Sequence, residues 1–292
     1  MKLKTALSAC CISGCLFILI LPLLVYYYFA NKSDTPAVVK ETPLTEIAGK
    51  EILMNIVMAS DMESDFDGLK EFVGVVNKLN PDLVFILGDI TVLGVQEDFL
   101  KTRDILKDIE AETFFIPGDR DLWKSRGVSN FKSVFGNNYQ LIERQGVKFL
   151  LIDNSNEYEG IDKPQMDFIE SEIGEADYVM FHNPIFFNSS VLGIMGKGMG
   201  QYSGTVDDQR KVLLNLIHNT DVVKGTFAGD QHYFSVSEDT EKSGLYHVVV
   251  GSLSSNRNLD APNFSVVKIY KDKTFSAEKY YLFEPFEIEK QP

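Results

Sequence analysis

Five short apolar runs in this chain each end in acidic or imidazole side chains, and that recurrence limits the fold more than any other feature. Leu53 to Ala59 runs into Ser60-Asp61-Met62-Glu63, and Leu83 to Leu87 into Gly88-Asp89. Thr113 to Ile116 leads to Gly118-Asp119-Arg120-Asp121, Tyr178 to Phe181 to His182-Asn183-Pro184, and Val222 to Ala228 to Gly229-Asp230-Gln231-His232. Amphipathic stretches separate the first runs. Asp67 to Leu79 sets Leu69, Phe72, Val73, Val76 and Leu79 on one helical face, and Glu97 to Ile109 is a second helix. Strand alternating with helix is the pattern of an α/β domain. In open α/β sheets the loops at the carboxyl ends of strands converge on one crevice, so seven oxygen or imidazole donors are aimed at one place.

The texture then changes. Tyr139 to Glu143 and Val147 to Ile152, joined by Arg144-Gln145-Gly146, form a hairpin, which excludes a purely parallel sheet. Pro164 opens a helix to Ile173, Asp207 to His218 is another, and three more strands close the chain at Tyr246 to Val250, Phe264 to Tyr270 and Phe275 to Leu282. Gly193 to Gly204, rich in glycine, is expected to be a loop.

Ahead of this domain, which spans 49–292, no charged residue occurs between Thr5 and Asn31, and the run exceeds the ~20 apolar residues that cross a bilayer. Residues 1–31 are expected to be an uncleaved transmembrane anchor. A cleaved signal peptide is disfavoured because Tyr28-Phe29-Ala30 puts aromatics where small residues belong. Leu7-Ser8-Ala9-Cys10 offers lipidation as an alternative. Lys2 and Lys4 before the span place the N-terminus in the cytoplasm and the main domain outside it, on a single-pass cell-membrane protein. Residues 32–48, polar and holding Pro36 and Pro43, read as a linker.

All three cysteines lie inside the apolar span, so any metal in the domain is held by oxygen and nitrogen. The net charge of −14 excludes a nucleic-acid-binding surface and a polybasic lipid footprint.

The order Asp61-Met62-Glu63, Gly88-Asp89, Gly118-Asp119-Arg120-Asp121, His182 and Gly229-Asp230-Gln231-His232 resembles the calcineurin-like metallophosphoesterase family, over roughly residues 53 to 235. Asp61, Asp89, His182 and His232 match the family's ligands in kind. Glu63 and Asp230 stand where the family has histidine, and Asp119 where it has asparagine. The resemblance implies a four-layer αββα sandwich of mixed β-sheets and two divalent metal ions. One ion would be held by Asp61, Glu63, Asp89 and His232, the other by Asp89, Asp119, His182 and Asp230, with Asp89 bridging. It implies hydrolysis of a phosphate monoester or diester by a hydroxide shared between the ions.

The departures have consequences. Five carboxylates in place of two favour hard cations, so manganese, iron or magnesium is expected ahead of zinc, with calcium as an alternative. More neutralised ions also attract phosphate less and acidify bound water less. Arg120 replaces the family histidine thought to assist the leaving group. It is no general acid near pH 7, but it is able to clamp phosphate oxygens or to pair with Asp121. Arg120 and Asp121 are the candidate catalytic residues. The substrate is expected to be a phosphorylated small molecule or an envelope component, and the alternative is a weak or inactive member of the fold that binds an anionic ligand or a protein. Lys197 and Arg257 are possible rim contacts, and His218 and His247 are expected to be structural.

Overall fold

A computed structural model describes residues 49–282 apart from 126, 187–197, 257 and 259. The expected anchor, its linker, Lys197 and Arg257 lie outside the described residues, as does most of the glycine-rich loop. Among the described residues no helix is long and apolar enough to cross a membrane.

The strands are β1 (Ile52–Ala59), β2 (Leu83–Leu87), β3 (Glu112–Ile116), β4 (Gln140–Arg144), β5 (Val147–Leu151), β6 (Tyr178–Met180), β7 (Gly225–Ala228), β8 (Ser235–Glu238), β9 (Tyr246–Val249), β10 (Asn263–Tyr270) and β11 (Phe275–Tyr281). The helices are α1 (Phe66–Leu79), α2 (Gln96–Leu106), α3 (Ser129–Phe135), α4 (Lys163–Glu172) and α5 (Gly204–His218), with one 3-10 turn at Arg120–Leu122. One sheet has the order β11-β10-β1-β2-β3 and the other β4-β5-β6-β7-β9-β8. β1, β2 and β3 run parallel, as do β5, β6, β7 and β9. Both sheets carry antiparallel edges, so both are mixed.

Strand alternation explains the layers. In β2, Val84 and Ile86 join Leu69, Phe72, Val76 and Phe99 in a core beneath α1 and α2. Phe85 turns the other way, as successive strand residues must. Its ring lies 5.1 Å from Phe149 of β5, which stacks in turn on Tyr178 of β6 at 5.7 Å. Phe275 of β11 meets Tyr178 edge-on at 5.6 Å and Phe227 of β7 at 5.2 Å. This aromatic layer joins the two sheets face to face, each ring contributing about 1.5–3 kcal/mol on burial. On the far side, Val179 and Phe181 pack with Ile169, Leu213 and Ile217 of α4 and α5. The sandwich is therefore helix, sheet, sheet, helix.

Several boundaries move. α2 stops at Leu106 instead of Ile109, and β7 begins at Gly225 instead of Val222. β8, with the polar sequence Ser-Val-Ser-Glu, and the short α3 are additional elements. The β4–β5 hairpin turns at Gln145 and Gly146, both with positive φ (52° and 76°), the conformation that matches strand twist.

Candidate metal centre

β1, β2 and β3 of one sheet and β6 and β7 of the other deliver their carboxyl ends to the same edge of the sandwich. The loops there are stitched by main-chain bonds. Asp61 N–H donates to the Gly88 carbonyl (3.1 Å), Glu63 N–H to the Asp89 carbonyl (3.0 Å) and Gly229 N–H to the His182 carbonyl (2.9 Å). Asp230 N–H donates to Oδ2 of Asp61 at 3.1 Å, joining the two sheets across the site.

The backbone here is held in a costly shape. Asp61, Glu63, Asp89, Asp230 and His232 all have φ between 45° and 66°. Left-handed residues other than glycine cost about 1–3 kcal/mol each and cluster where function demands a particular side-chain direction. Gly88 has φ +89°, and a Cβ there would sit 2.4 Å from Nδ1 of His182. Gly118 is needed for closeness alone, since its Cβ would fall 2.2 Å from the Asp89 amide nitrogen.

His182 is the centre of the cluster. It is fully buried, and Nδ1 lies 2.7 Å from the Leu87 carbonyl oxygen. A carbonyl only accepts, so Nδ1 carries a hydrogen, and in the neutral imidazole Nε2 offers the lone pair. Nε2 has no hydrogen-bond partner, yet it faces Oδ1 of Asp89 at 3.3 Å, Oδ1 of Asp119 at 3.3 Å and Oδ1 of Asp230 at 4.0 Å. Oδ1 of Asp61 is likewise buried without a hydrogen-bond partner. Two groups of donors are compact enough to share an ion, Asp61 with Asp89 and His182, and Asp119 with His182 and Asp230. His182 belongs to both. Nε2 of His232 stands 3.4 Å from Asp61 Oδ1 and 3.8 Å from Glu63 Oε1. The seven side chains named as candidate ligands thus lie in one cluster.

The electrostatics agree with a cation site. Burial pushes the Asp89 carboxyl well above the usual range, and the charge of Asp119 pushes it further. Burial opposes the charged form of His182, but Asp89, Asp119, Asp61 and Asp230 outweigh it and hold the imidazole well above its ordinary value. Asp61 also suffers burial, but His232 beside it keeps its carboxyl low. So many acids in a dry place take up protons unless a cation balances them, and buried donors with unused lone pairs are what a divalent ion requires. The residues present fit at least one such ion.

Arg120 and Asp121 behave differently from expectation. Arg120 Nε lies 3.1 Å from Glu63 Oε1 and 3.3 Å from Asp89 Oδ2, so it pairs with the ligand cluster instead of Asp121. Asp121 is fully buried. Its oxygens accept from the amides of Ile90 (3.1 Å), Thr91 (2.8 Å) and Gly118 (3.0 Å) and from the Thr91 hydroxyl (2.9 Å). Desolvation pushes its carboxyl up to about 6 despite those bonds. With every oxygen committed to the loops after β2 and β3, Asp121 braces the site and has no free atom for substrate.

Asn154 is a participant the strand-end pattern missed. Its Oδ1 accepts the amides of His182 (3.1 Å) and Asn183 (2.9 Å), and its Nδ2 donates to the Asn183 carbonyl (2.6 Å), fixing the turn after β6. The signal was available in Ile152-Asp153-Asn154-Ser155, another apolar strand ending in polar residues. His218 and His247 sit elsewhere, both bonded to Oδ2 of Asp239.

Beside Asp119 opens a cavity of about 360 Å³ lined by Leu122, Trp123, Ser155, Asn156 and Tyr158 among others. Trp123 and Tyr158 are exposed.

A strand-end cluster of this kind on a two-sheet sandwich defines a metal-dependent phosphoesterase scaffold. The chain belongs to the calcineurin-like phosphoesterase family, whose model matches residues 54–234. Comparison with curated protein sequences gives no match. Among solved structures, a dimetal phosphatase from Danio rerio superposes with TM-score 0.61 at 12% identity, over 80% of this chain and 98% of that one. GAP50, the anchor in the inner membrane complex of Plasmodium, gives 0.56 at 15% identity over 79% and 85%. The purple acid phosphatase PPD1 from yellow lupin (Lupinus luteus) seeds gives 0.56 at 13% identity, over 78% of this chain and 51% of that one. These likenesses establish the shared fold.

Proposed function

We propose that this chain hydrolyses a phosphate ester at a divalent-metal site built by Asp61, Glu63, Asp89, Asp119, His182, Asp230 and His232, in the arrangement that family members use for two ions. The observation that carries the reading is Nε2 of His182, buried, without a hydrogen-bond partner and facing three carboxylates. A bound divalent ion would acidify water and offset the charge of the phosphoryl oxygens. The chain's own part is to hold that ion dry. Asn154 and Leu87 orient His182, and Asp121 locks the loops that carry Asp89 and Asp119. Arg120 adds a fixed positive charge at the crevice, where it steadies phosphate oxygens without donating a proton. Oxygen-rich donors favour manganese, iron or magnesium over zinc.

The cavity beside Asp119 supports a leaving group of planar, apolar character, because Trp123 and Tyr158 line it. Without a general acid, esters with acidic leaving groups such as aryl phosphates are the better substrates, others being slower by ~10²–10⁴-fold. The uncharged span before Asn31 supports attachment to the cell membrane as a single-pass protein with this domain outside the cytoplasm, acting on phosphorylated small molecules or envelope components.

The test is hydrolysis of mono-aryl and bis-aryl phosphates by the purified full chain with added Mn²⁺. Turnover that vanishes in Asp119→Ala and His182→Ala supports the reading, and turnover unchanged in Asp89→Asn sinks it. A second reading, a non-hydrolytic metal-binding member that recognises an anionic ligand or a protein, draws on the Arg120 pairing, which spends positive charge on the protein's own carboxylates. Metal binding without turnover on either ester class selects it.

A further inference from the structure

The contacts of Arg120 bear on how many ions the cluster takes. Two departures from the family pattern meet in space: Glu63 stands where the family has a metal-binding histidine, and Arg120 where it has the histidine thought to assist the leaving group. Their side chains touch, Nε to Oε1, at 3.1 Å. A carboxylate is a good partner for a guanidinium and an imidazole a poor one, so each change makes sense of the other.

Asp89 shows what the pair displaces. Its Oδ1 lies 3.3 Å from Nε2 of His182, on the side of Asp119 and Asp230, and its Oδ2 lies 3.3 Å from Arg120 Nε. The expected bridging carboxylate therefore does bridge, but between the His182 pocket and a guanidinium. Arg120 is fixed there by more than this pair. Its amide donates to Asp89 Oδ1 at 3.0 Å, its guanidinium carbon rests 5.0 Å from the Trp123 ring, and the 3-10 turn that carries it is tied down by Asp121. The side chain is nearly buried, at 13% exposed.

We propose that the site takes one divalent ion, centred on His182 with Asp89, Asp119 and Asp230, and that the guanidinium of Arg120 occupies the place of the second cation beside Glu63 and Asp89. The two compete there, because an ion bound to Glu63 Oε1 and Asp89 Oδ2 would share the oxygens that Arg120 now holds and stand against its positive charge. The inference rests on the metal-dependent reading above and refines it: one exchangeable ion and one tethered, non-exchangeable cation flank the crevice. A tethered cation binds phosphate oxygens but acidifies no water, so any water activation falls to the single ion.

The experiment counts ions. The full chain, stripped with chelator and reloaded with excess Mn²⁺, is freed of loose metal and analysed for manganese per chain, with the electron paramagnetic resonance spectrum recorded alongside. The expected result is one manganese per chain with the spectrum of an isolated ion. In the double variant Glu63→His with Arg120→His, the count rises to two and the spectrum becomes that of an exchange-coupled pair. Two manganese ions in the wild-type chain overturn the proposal while leaving the phosphoesterase reading intact, and none overturns both. The wild-type count decides the matter without any variant having to fold, and Arg120→Gln, which keeps the bulk of the side chain, provides a second measure with an expected count above one.

Discussion

Nδ1 of His182 lies 2.7 Å from the carbonyl oxygen of Leu87, and this single bond sets which nitrogen faces the carboxylates. Asparagine at 182 would keep a donor near the Leu87 carbonyl but lose the atom that faces Asp89, Asp119 and Asp230. His182→Asn is expected to fold, with a melting temperature within a few degrees of wild type, while Mn²⁺ affinity falls at least about tenfold, the scale on which supporting residues alone act in metal sites. Isothermal titration with Mn²⁺ alongside thermal melting checks both halves. Unchanged affinity would remove His182 from the site.

Gly88 combines a left-handed backbone with a close approach at the strand ends. With φ +89° and a would-be Cβ 2.4 Å from Nδ1 of His182, alanine meets a conformational and a steric obstacle together. Gly88→Ala should destabilise the fold by about 1–3 kcal/mol from backbone strain, with the clash adding to it. A urea titration reads the loss as a lower midpoint, and metal affinity should fall with it because the imidazole is pushed aside.

Asp121 offers a contrast between bracing and catalysis. Asparagine is the same size, but its NH₂ group would point at N–H donors from Ile90 and Gly118 or from Thr91. Each buried donor left unmatched costs about 1–3 kcal/mol, so Asp121→Asn should lower stability measurably. If Asp121 were a catalytic base, the variant would lose turnover while keeping its melting temperature. The expected result is the reverse order: stability falls first, and turnover, measured below the melting transition, falls only as far as metal affinity does.

Much of this architecture can be read from residue patterns because the governing forces act at short range. Strand alternation in Leu83 to Leu87, the helical face of Leu69, Phe72 and Val76, and the Gln145-Gly146 turn are all local consequences of burial and backbone sterics, and each forms near its expected place. β8 escapes because Ser235 to Glu238 is polar at the sheet edge, where pairing with β9 and not burial makes the strand. The gathering of Asp61, Asp89, Asp119, His182 and Asp230 follows from the carboxyl-end rule of α/β sheets. The direction in which Arg120 points does not follow from any local pattern. It depends on Glu63, a residue on another strand's loop, and on the packing of Trp123, and such contacts emerge only once the two loops are brought together.

Away from the metal cluster, His218 and His247 share Oδ2 of Asp239 at 2.9 and 2.8 Å, and the ring of His247 stacks on Phe186 at 4.1 Å. Burial holds the His247 imidazole below its ordinary value, against the pull of Asp239. A histidine with a lowered folded value binds fewer protons folded than unfolded between that value and about 6.5, so its contribution to stability is complete above the unfolded value and lost as pH falls through this window. Asp239 acts in the same direction lower down. Desolvation opposes its charge, but bonds from His247 and His218 and the amides of Glu241 and Lys242 win, holding its carboxyl far below the usual range. Its stabilisation is present above the ordinary carboxylate value and is lost as pH falls below it. Melting temperature should therefore decline in two stages on acidification, first below about pH 6.5 and again below about pH 4. His247→Phe, which keeps an aromatic ring against Phe186 but carries no titrating nitrogen, is expected to abolish the first stage and to shrink the second, because Asp239 loses its bond from His247 while keeping those from His218 and the amides of Glu241 and Lys242. Melting curves of the metal-free wild type and variant across this range provide the comparison, and an equal decline near pH 6 in both would assign that stage to another group.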